Sequence, residues 1–267
     1  MQPEKVPEVL KTSINFKILG LILAAVIGFQ AFLYFSPESA ELEEGIAFLS
    51  MATPLTVAIG SYFVAHRYGL SEVFGKSYLL FAIAYFAVFL GEVTYYAYDV
   101  IFEIDPYPSI GDVFFFALYP LASMHIIINF RFFKTKTSLK QKALFIAIPI
   151  IIFSTYTAVS LDEYGGFDEI FADETDTFDY FYSLIFVTGT AITLSLAALG
   201  AIVFRGGMLG VVWLLLLVGV LVFTIGDVWY YYLELFGEYD LIHPVNLFWY
   251  ASDAILIYAL YKHGKSI

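Results

Sequence analysis

The sequence contains eight apolar runs, each close to the length of a helix that crosses a bilayer. They lie at about 15–35, 46–66, 77–102, 111–133, 142–161, 179–204, 207–235 and 244–262. About 20 helical residues are needed to cross a hydrocarbon core roughly 30 Å thick. Hydrophobic residues make up 60% of the chain and charged residues only 14%. A water-soluble domain cannot bury that much apolar surface. The sequence therefore predicts an all-α, polytopic membrane protein with eight transmembrane helices.

The basic residues indicate how these spans are oriented. All 13 Lys and Arg residues lie before the first span, after the eighth, between spans two and three, four and five, and six and seven, or at the span ends that adjoin these segments. With eight spans these segments share one side of the membrane, and the positive-inside rule places both termini in the cytoplasm. We therefore expect a multi-pass protein of the plasma membrane. The first span is expected to be retained, because its apolar run is longer than a typical signal-peptide core.

Composition excludes several functions. The net charge is −12 and there is no basic patch, so nucleic acid is not expected as a partner. The chain has no cysteine, which excludes disulfides and thiolate metal sites. No cofactor-binding or metal-binding motif is present, so neither a cofactor nor a metal ion is expected. The acidic stretch 162–179 lacks the spacing of a calcium-binding EF-hand and is expected to be a solvated loop.

A displacement of 135 positions aligns the third span with the seventh. Gly91-Glu92-Val93 then matches Gly226-Asp227-Val228, and Tyr95-Tyr96 matches Tyr230-Tyr231. Three further acidic pairs follow: Asp99 with Glu234, Glu103 with Glu238, and Asp105 with Asp240. Because the two spans are four apart, they run in the same direction. This predicts two parallel four-helix repeats.

This division gives five segments. They are a cytoplasmic N-terminus (1–14), a first repeat (15–133), a basic cytoplasmic linker (134–141), a second repeat (142–262) and a cytoplasmic C-terminus (263–267).

Three carboxylates fall inside predicted spans, at a depth where no basic residue can pair with them: Glu92, Asp227 and Asp253. A carboxylate that faces lipid is costly, so these groups are expected to face the bundle interior. In one interpretation they accept hydrogen bonds from tyrosines and join helices. In the other, they line a cavity between spans three, four, seven and eight that opens to the outside and binds a cation, a proton or a polar ligand.

Residues seven apart return to the same face of a helix. Glu92 and Asp99 are therefore expected to share a face, as are Asp227 and Glu234. Asp112 has a second interpretation, as the N3 residue of a helix capped by Ser109. His125 is expected to be a core residue. The candidate ligand-binding residues are Glu92, Tyr95, Tyr96, Asp99, Asp112, Tyr119, Asp227, Tyr230, Tyr231, Glu234, Trp249 and Asp253.

Parts of the chain resemble the multi-span membrane regions that precede GGDEF and EAL domains in some bacterial signalling proteins. The resemblance lies in Gly91-Glu92, the stretch Pro106-Tyr107-Pro108-Ser109-Ile110-Gly111-Asp112, and Tyr119-Pro120. Gly226-Asp227, Gly237-x-Tyr239 and Trp249-Tyr250 are similar in the second half. The resemblance implies a sensory or ligand-binding membrane module. Since no enzymatic domain follows Lys265, its output is expected to pass through a partner.

The two Gly-acid pairs are also similar to those of the eight-span lysoplasmalogenase-like family. That resemblance implies a lipid hydrolase in which Glu92 and Asp227 act as general acid and base.

A ligand- or cation-binding sensory module, or an accessory subunit of a membrane complex, is the favoured function. The lipid hydrolase is the alternative and a small-solute transporter the third, so binding is favoured over catalysis. The expected partners are membrane lipids, a cation or small polar ligand from outside, and a membrane protein or a second copy of the chain.

Overall fold

The computed structural model describes residues 14–37, 39–207, 209–237, 239 and 242–265, without the side chains of 40 and 265. Over these residues the chain forms helices and no strand. The helices are α1 (Phe16–Phe35), α2 (Ala40–Tyr68), α3 (Val73–Tyr96), α4 (Ile110–Phe132), α5 (Leu139–Tyr164), α6 (Phe167–Ile170), α7 (Glu174–Val203), α8 (Gly210–Leu235) and α9 (Asn246–Lys265). A π-helical turn, Ala97–Ile101, follows α3 directly. Glu238 and Asp240 of the predicted repeat lie outside the described residues, as does most of the predicted N-terminal segment.

Seven of the described helices are long and apolar enough to cross a membrane: α1, α2, α3 with its π-helical turn, α4, α5, α7 and α8. The all-α prediction is confirmed, and these helices make the chain a multi-pass membrane protein. Helix α9 lies at the predicted eighth span and matches α1 in length, at 20 residues. It is not among the seven, because polar residues such as Asn246, Asp253 and Lys262 lower its hydropathy.

Local sequence signals set several helix ends. The predicted capping box is present at α4: Ser109 accepts from the first-turn backbone and Asp112 accepts from the Ser109 N–H. Ser138 and Gln141 form a second capping box, at the start of α5. Helix α5 ends at Gly165, whose φ of +83° belongs to the left-handed region that glycine favours.

The predicted solvated loop 162–179 is more ordered than expected. It contains the short helix α6, and the side chain of Ile170 in that helix is fully buried. Phe167, Ile170 and Phe171 do have the i, i+3, i+4 spacing of a helix, but a single turn of this pattern is too short to distinguish a helix from a loop.

Six helices form a closed ring. Along it α2 packs on α3, α3 on α4, α4 on α7, α7 on α8, α8 on α9, and α9 on α2. Helix α5 lies outside the ring against α7, and α1 lies outside it against α9.

The ring has an acidic end and a basic end. At the acidic end α3 and α8 finish and α4, α7 and α9 begin, with Asp105, Asp179 and Glu234 nearby. At the basic end α2 and α9 finish, and Arg67 donates to the carbonyl oxygen of Gly264.

Candidate functional site

Asp227 joins three helices in the centre of the ring. Its carboxylate is 3% exposed and accepts from the Tyr119 hydroxyl on α4 at 2.7 Å and from the Trp249 indole N–H on α9 at 3.0 Å. Thr190 on α7 lies nearby and donates to Thr224, on the same helix as Asp227, at 3.0 Å. Gly226 allows α8 and α9 to pack closely at this point, because a Cβ there would lie 2.8 Å from Cβ of Phe248. Asp227 is thus buried among donors, as carboxylates inside a membrane protein must be.

Glu92 has a different set of neighbours. It is half-buried on α3, and the carboxylate that interacts with it is that of Asp253 on α9. Asp253 is 5% exposed and lies near Thr53 on α2. The hydroxyl of Tyr250, which also faces Glu92, lies 2.9 Å from Ser50 Oγ. Glu92 and Asp227, which the hydrolase alternative joins in one acid–base pair, therefore have separate partners.

Asp112 links the capping of α4 to the tyrosines at the acidic end. The side chain is 7% exposed, and Oδ2 accepts from the Ser109 N–H at 2.6 Å. Oδ1 accepts from the Tyr95 hydroxyl of α3, and Tyr182 of α7 lies near the carboxylate. Asp112 therefore has both of the roles proposed for it, as a helix cap and as a member of the acidic and aromatic group.

The acidic end gathers carboxylates that are far apart in the sequence. The Tyr107 hydroxyl donates to Asp179 Oδ1 at 2.6 Å and also lies near Asp112 and Glu234. Glu234 in turn interacts with Asp179 and Asp105. Burial and the hydrogen bond to Asp179 raise the pKa of Tyr107 well above its ordinary value. We call Asp105, Asp112, Asp179 and Glu234 the acidic cluster.

Aromatic rings cover the side of the acidic cluster that faces the ring interior. The Tyr230 ring packs against Tyr231, Tyr239 and Trp249 with centroids 5.0, 4.8 and 5.2 Å apart. Tyr231 reaches Tyr182 at 6.3 Å and so connects Tyr230 with this neighbour of Asp112. Tyr96 is half-buried at the end of α3.

Glu92 and Asp99, which are predicted to share a helix face, differ in burial. Asp99 is exposed, whereas Glu92 is half-buried. Asp99 lies in the π-helical turn that follows α3. Glu234 is likewise exposed although Asp227 is buried, since it lies in the last turn of α8 at the open acidic end.

Two cavities adjoin the ring. One of about 20 Å³ lies between α3, α4, α7 and α8 and is lined by Tyr85, Tyr119, Thr190 and Thr193 among apolar residues. A larger cleft of about 450 Å³ lies between α1 and α2 and is lined mainly by Phe29, Phe32, Leu33 and Ile46.

Several residues of the site were not among the sequence candidates. The Tyr107–Asp179 hydrogen bond was not predicted, and neither were three neighbours of the buried carboxylates: Tyr182, Thr53 and Thr190. Asp179 and Tyr182 stand three apart at the start of α7, which puts them on one helix face. That spacing was the one available signal, and it does not reveal which helix the face contacts.

Within the described ranges, no group of three His, Asp or Glu side chains is arranged to hold a metal ion. Comparison with protein-family models, curated proteins and solved structures finds no match to this chain.

Proposed function

We propose that the chain crosses the plasma membrane eight times, as two parallel four-helix repeats with both termini in the cytoplasm. Helix α9 supplies the eighth span: its polar residues face the ring, where Asp253 and Asn246 are buried. The basic end then faces the cytoplasm by the positive-inside rule.

Equivalent contacts in the two halves support the repeat. The junction of α4 with α7 corresponds to that of α9 with α2. A Cβ at Gly91 would meet the Phe115 ring at 2.6 Å, and one at Gly226 would meet the Trp249 ring at 3.3 Å. These are matching positions of the aligned halves.

The contacts that cross between the halves are also paired. Asp227 of the second half contacts Tyr119 of the first. Glu92, the counterpart of Asp227, interacts with Asp253, the counterpart of Tyr119. Reciprocal contacts of this kind are what a twofold relation between repeats produces.

We propose that the protein binds a small organic cation at its acidic end, as a sensory module or accessory subunit. One observation carries the proposal: the acidic cluster brings four carboxylates together around Tyr95, Tyr107 and Tyr182, while no Lys or Arg of the sequence lies on the predicted outer side of the membrane. Carboxylates attract an ammonium group, and tyrosine faces bind it by cation–π contact. An organic cation fits better than a metal ion, because these carboxylates do not converge on one point.

Binding is tested on purified protein by titration calorimetry with a primary alkylamine, a quaternary ammonium ion and a neutral alcohol of equal size. We expect Asp179→Asn and Glu234→Gln each to weaken cation binding by about tenfold, or about 1.4 kcal/mol. Asp168→Asn is the matched control. Asp168 is exposed on α6, and the substitution makes the same charge change away from the cluster. Equal binding of the cations and the alcohol, or an equal loss in the control, would contradict the proposal.

A further inference from the structure

The cleft of about 450 Å³ separates α1 from α2 near the acidic end of the ring, where α1 finishes and α2 begins. Phe29, Phe32 and Leu33 line it from α1, and Leu42 and Ile46 line it from α2. Residues three or four apart share one face of a helix, so two apolar helix faces lie opposite each other across the cleft. Helix α1 packs against α9 instead of α2.

The second half of the chain fills the equivalent place with its own residues. In the proposed repeat α5 and α7 correspond to α1 and α2, and α5 packs directly on α7. Helix α6, in the connection 165–173, contacts both of them, and its Ile170 is fully buried. The connection between α1 and α2 covers only residues 36–39, which is too short for an inserted helix of this kind. The first half therefore leaves open a cleft that the second half closes.

The position of the cleft matches the outer half of the bilayer. Tyr34, beside the last residue of α1, is 76% exposed, and exposed tyrosines at helix ends are typical of the membrane–water interface. The lining residues of α1 run from Ser36 back to Phe29, a distance of about 10 Å at 1.5 Å per residue. Leu33 and Ile46, each 1% exposed, form the deepest wall. An apolar cleft of this depth lies beside the acyl chains of the outer leaflet.

An acyl chain is the occupant that fits these walls. Apolar walls that face a void lose dispersion contacts on their open side, and lipid hydrocarbon restores those contacts. The volume also lies within the range of about 300–1,000 Å³ that is usual for sites of small ligands. Gly45 lines the cleft on α2, and no atom lies within 4 Å of its Cβ position. The carbons of the chain therefore have room beside the α2 backbone.

The mouth of the cleft is acidic. Ser36, Ser39 and Glu41 lie there, and the two serine hydroxyls are hydrogen-bonded to backbone groups of α1 and α2. Glu41 is exposed, with the exposed Glu43 and Glu44 in the next residues of α2. No Lys or Arg of the sequence lies on the predicted outer side of the membrane. A head group with a net negative charge is repelled at this mouth, whereas a primary ammonium is attracted and donates hydrogen bonds to the carboxylate.

We propose that this cleft binds one acyl chain of an outer-leaflet phospholipid whose primary ammonium head group contacts Glu41, which describes a phosphatidylethanolamine. The bound chain joins α1 to α2, as the side chain of Ile170 joins α5 to α7 in the second half. The proposal rests on the proposed membrane orientation. It is independent of cation binding at the acidic cluster, whose residues belong to other helices and loops.

The test is native mass spectrometry of the purified, delipidated protein, titrated with phosphatidylethanolamine or phosphatidylglycerol that carry the same acyl chains. We expect the wild type to bind phosphatidylethanolamine more tightly. Gly45→Leu places a side chain in the cleft and should weaken the binding of both lipids at least about tenfold, the loss that about two displaced methylenes produce. Gly20→Leu is the matched control, because Gly20 lies on α1 outside the cleft and also has no atom within 4 Å of its Cβ position. It should bind both lipids as the wild type does.

A second variant, Glu41→Gln, tests the head group and leaves the apolar walls unchanged. It should reduce the preference for phosphatidylethanolamine by about threefold, as the loss of one exposed ion pair does. Glu43→Gln makes the same charge change in the same turn of α2 but outside the cleft lining, and should retain the preference. Gel filtration establishes that each variant is folded before the titration.

The outcomes separate the parts of the proposal. Lipid binding that is unchanged in Gly45→Leu, or equally weakened in Gly20→Leu, would overturn the cleft site. A changed oligomeric state of Gly45→Leu with unchanged lipid binding would overturn it in favour of a second copy of the chain as the occupant. Equal affinities of the wild type for the two lipids would overturn the head-group assignment. Asp179→Asn should bind lipid normally, so failure of the organic-cation proposal would leave the lipid site intact.

Discussion

The hydroxyl of Tyr119 on α4 donates a 2.7 Å hydrogen bond to Oδ2 of Asp227 on α8, across 108 residues of sequence. Both side chains are at most 5% exposed. The bond crosses from one predicted repeat to the other.

Removal of this donor is expected to destabilise the fold. Tyr119→Phe leaves the buried carboxylate with one partner fewer, a loss of about 1–3 kcal/mol. Tyr34→Phe removes a hydroxyl from a tyrosine that is 76% exposed and should change stability little. Reversible unfolding in mixed micelles measures both; equal midpoints for the two variants would contradict a stabilising role for the bond.

Glycines at the helix crossings are expected to resist substitution. A Cβ at Gly91 would lie 2.6 Å from the Phe115 ring, and overpacking of this kind costs about 1–3 kcal/mol. Gly28 on α1 has no neighbouring atom within 4 Å of its Cβ position, so Gly28→Ala should stabilise the helix by up to about 1 kcal/mol. The same unfolding measurement applies. We expect the free energy of unfolding to decrease for Gly91→Ala and to increase for Gly28→Ala.

Asp173, which caps α7 outside the spans, is expected to make stability depend on pH. It accepts from the backbone N–H of Thr175 at 2.7 Å and of Asp176 at 3.3 Å, and these bonds lower the pKa of Asp173 below its ordinary value. A pKa that is lower in the folded state gives stabilisation that is complete above the unfolded value and is lost as the pH falls through the folded one. The melting temperature of the wild type relative to Asp173→Asn should therefore decrease below about pH 4.

Asparagine preserves the cap of α7 without titrating. Asp168→Asn supplies the control, since it removes an exposed acid that caps no helix. Its melting curve should follow the wild type at every pH. If the melting temperatures of the wild type and Asp173→Asn change with pH in parallel, Asp173 is not the source of the pH dependence.

Cysteine labelling is expected to establish the orientation. The chain has no cysteine, so a single cysteine introduced at Asp168 or Lys136 reports without background. In intact cells a membrane-impermeant maleimide should label the Asp168 position at once and the Lys136 position only after lysis. The reverse pattern would invert the proposed topology.

The helices could be predicted because their signals are local. Apolar runs of bilayer length predicted every long helix, and the Ser109 and Asp112 capping box followed from residue types three apart. The π-helical turn at Asp99 has no sequence pattern of its own, and the short helix around Ile170 is a single turn, too short for its apolar spacing to predict it.

The sequence by itself determined that the chain is helical, that it belongs in a membrane, and where its charges lie along the chain. Span length and charge order are properties of contiguous residues, which one-dimensional patterns record. Only the tertiary structure decided that Asp227 binds Tyr119 while Glu92 faces Asp253. Those partners depend on how each helix is rotated and which neighbour it contacts, and close packing at Gly91 and Gly226 sets both.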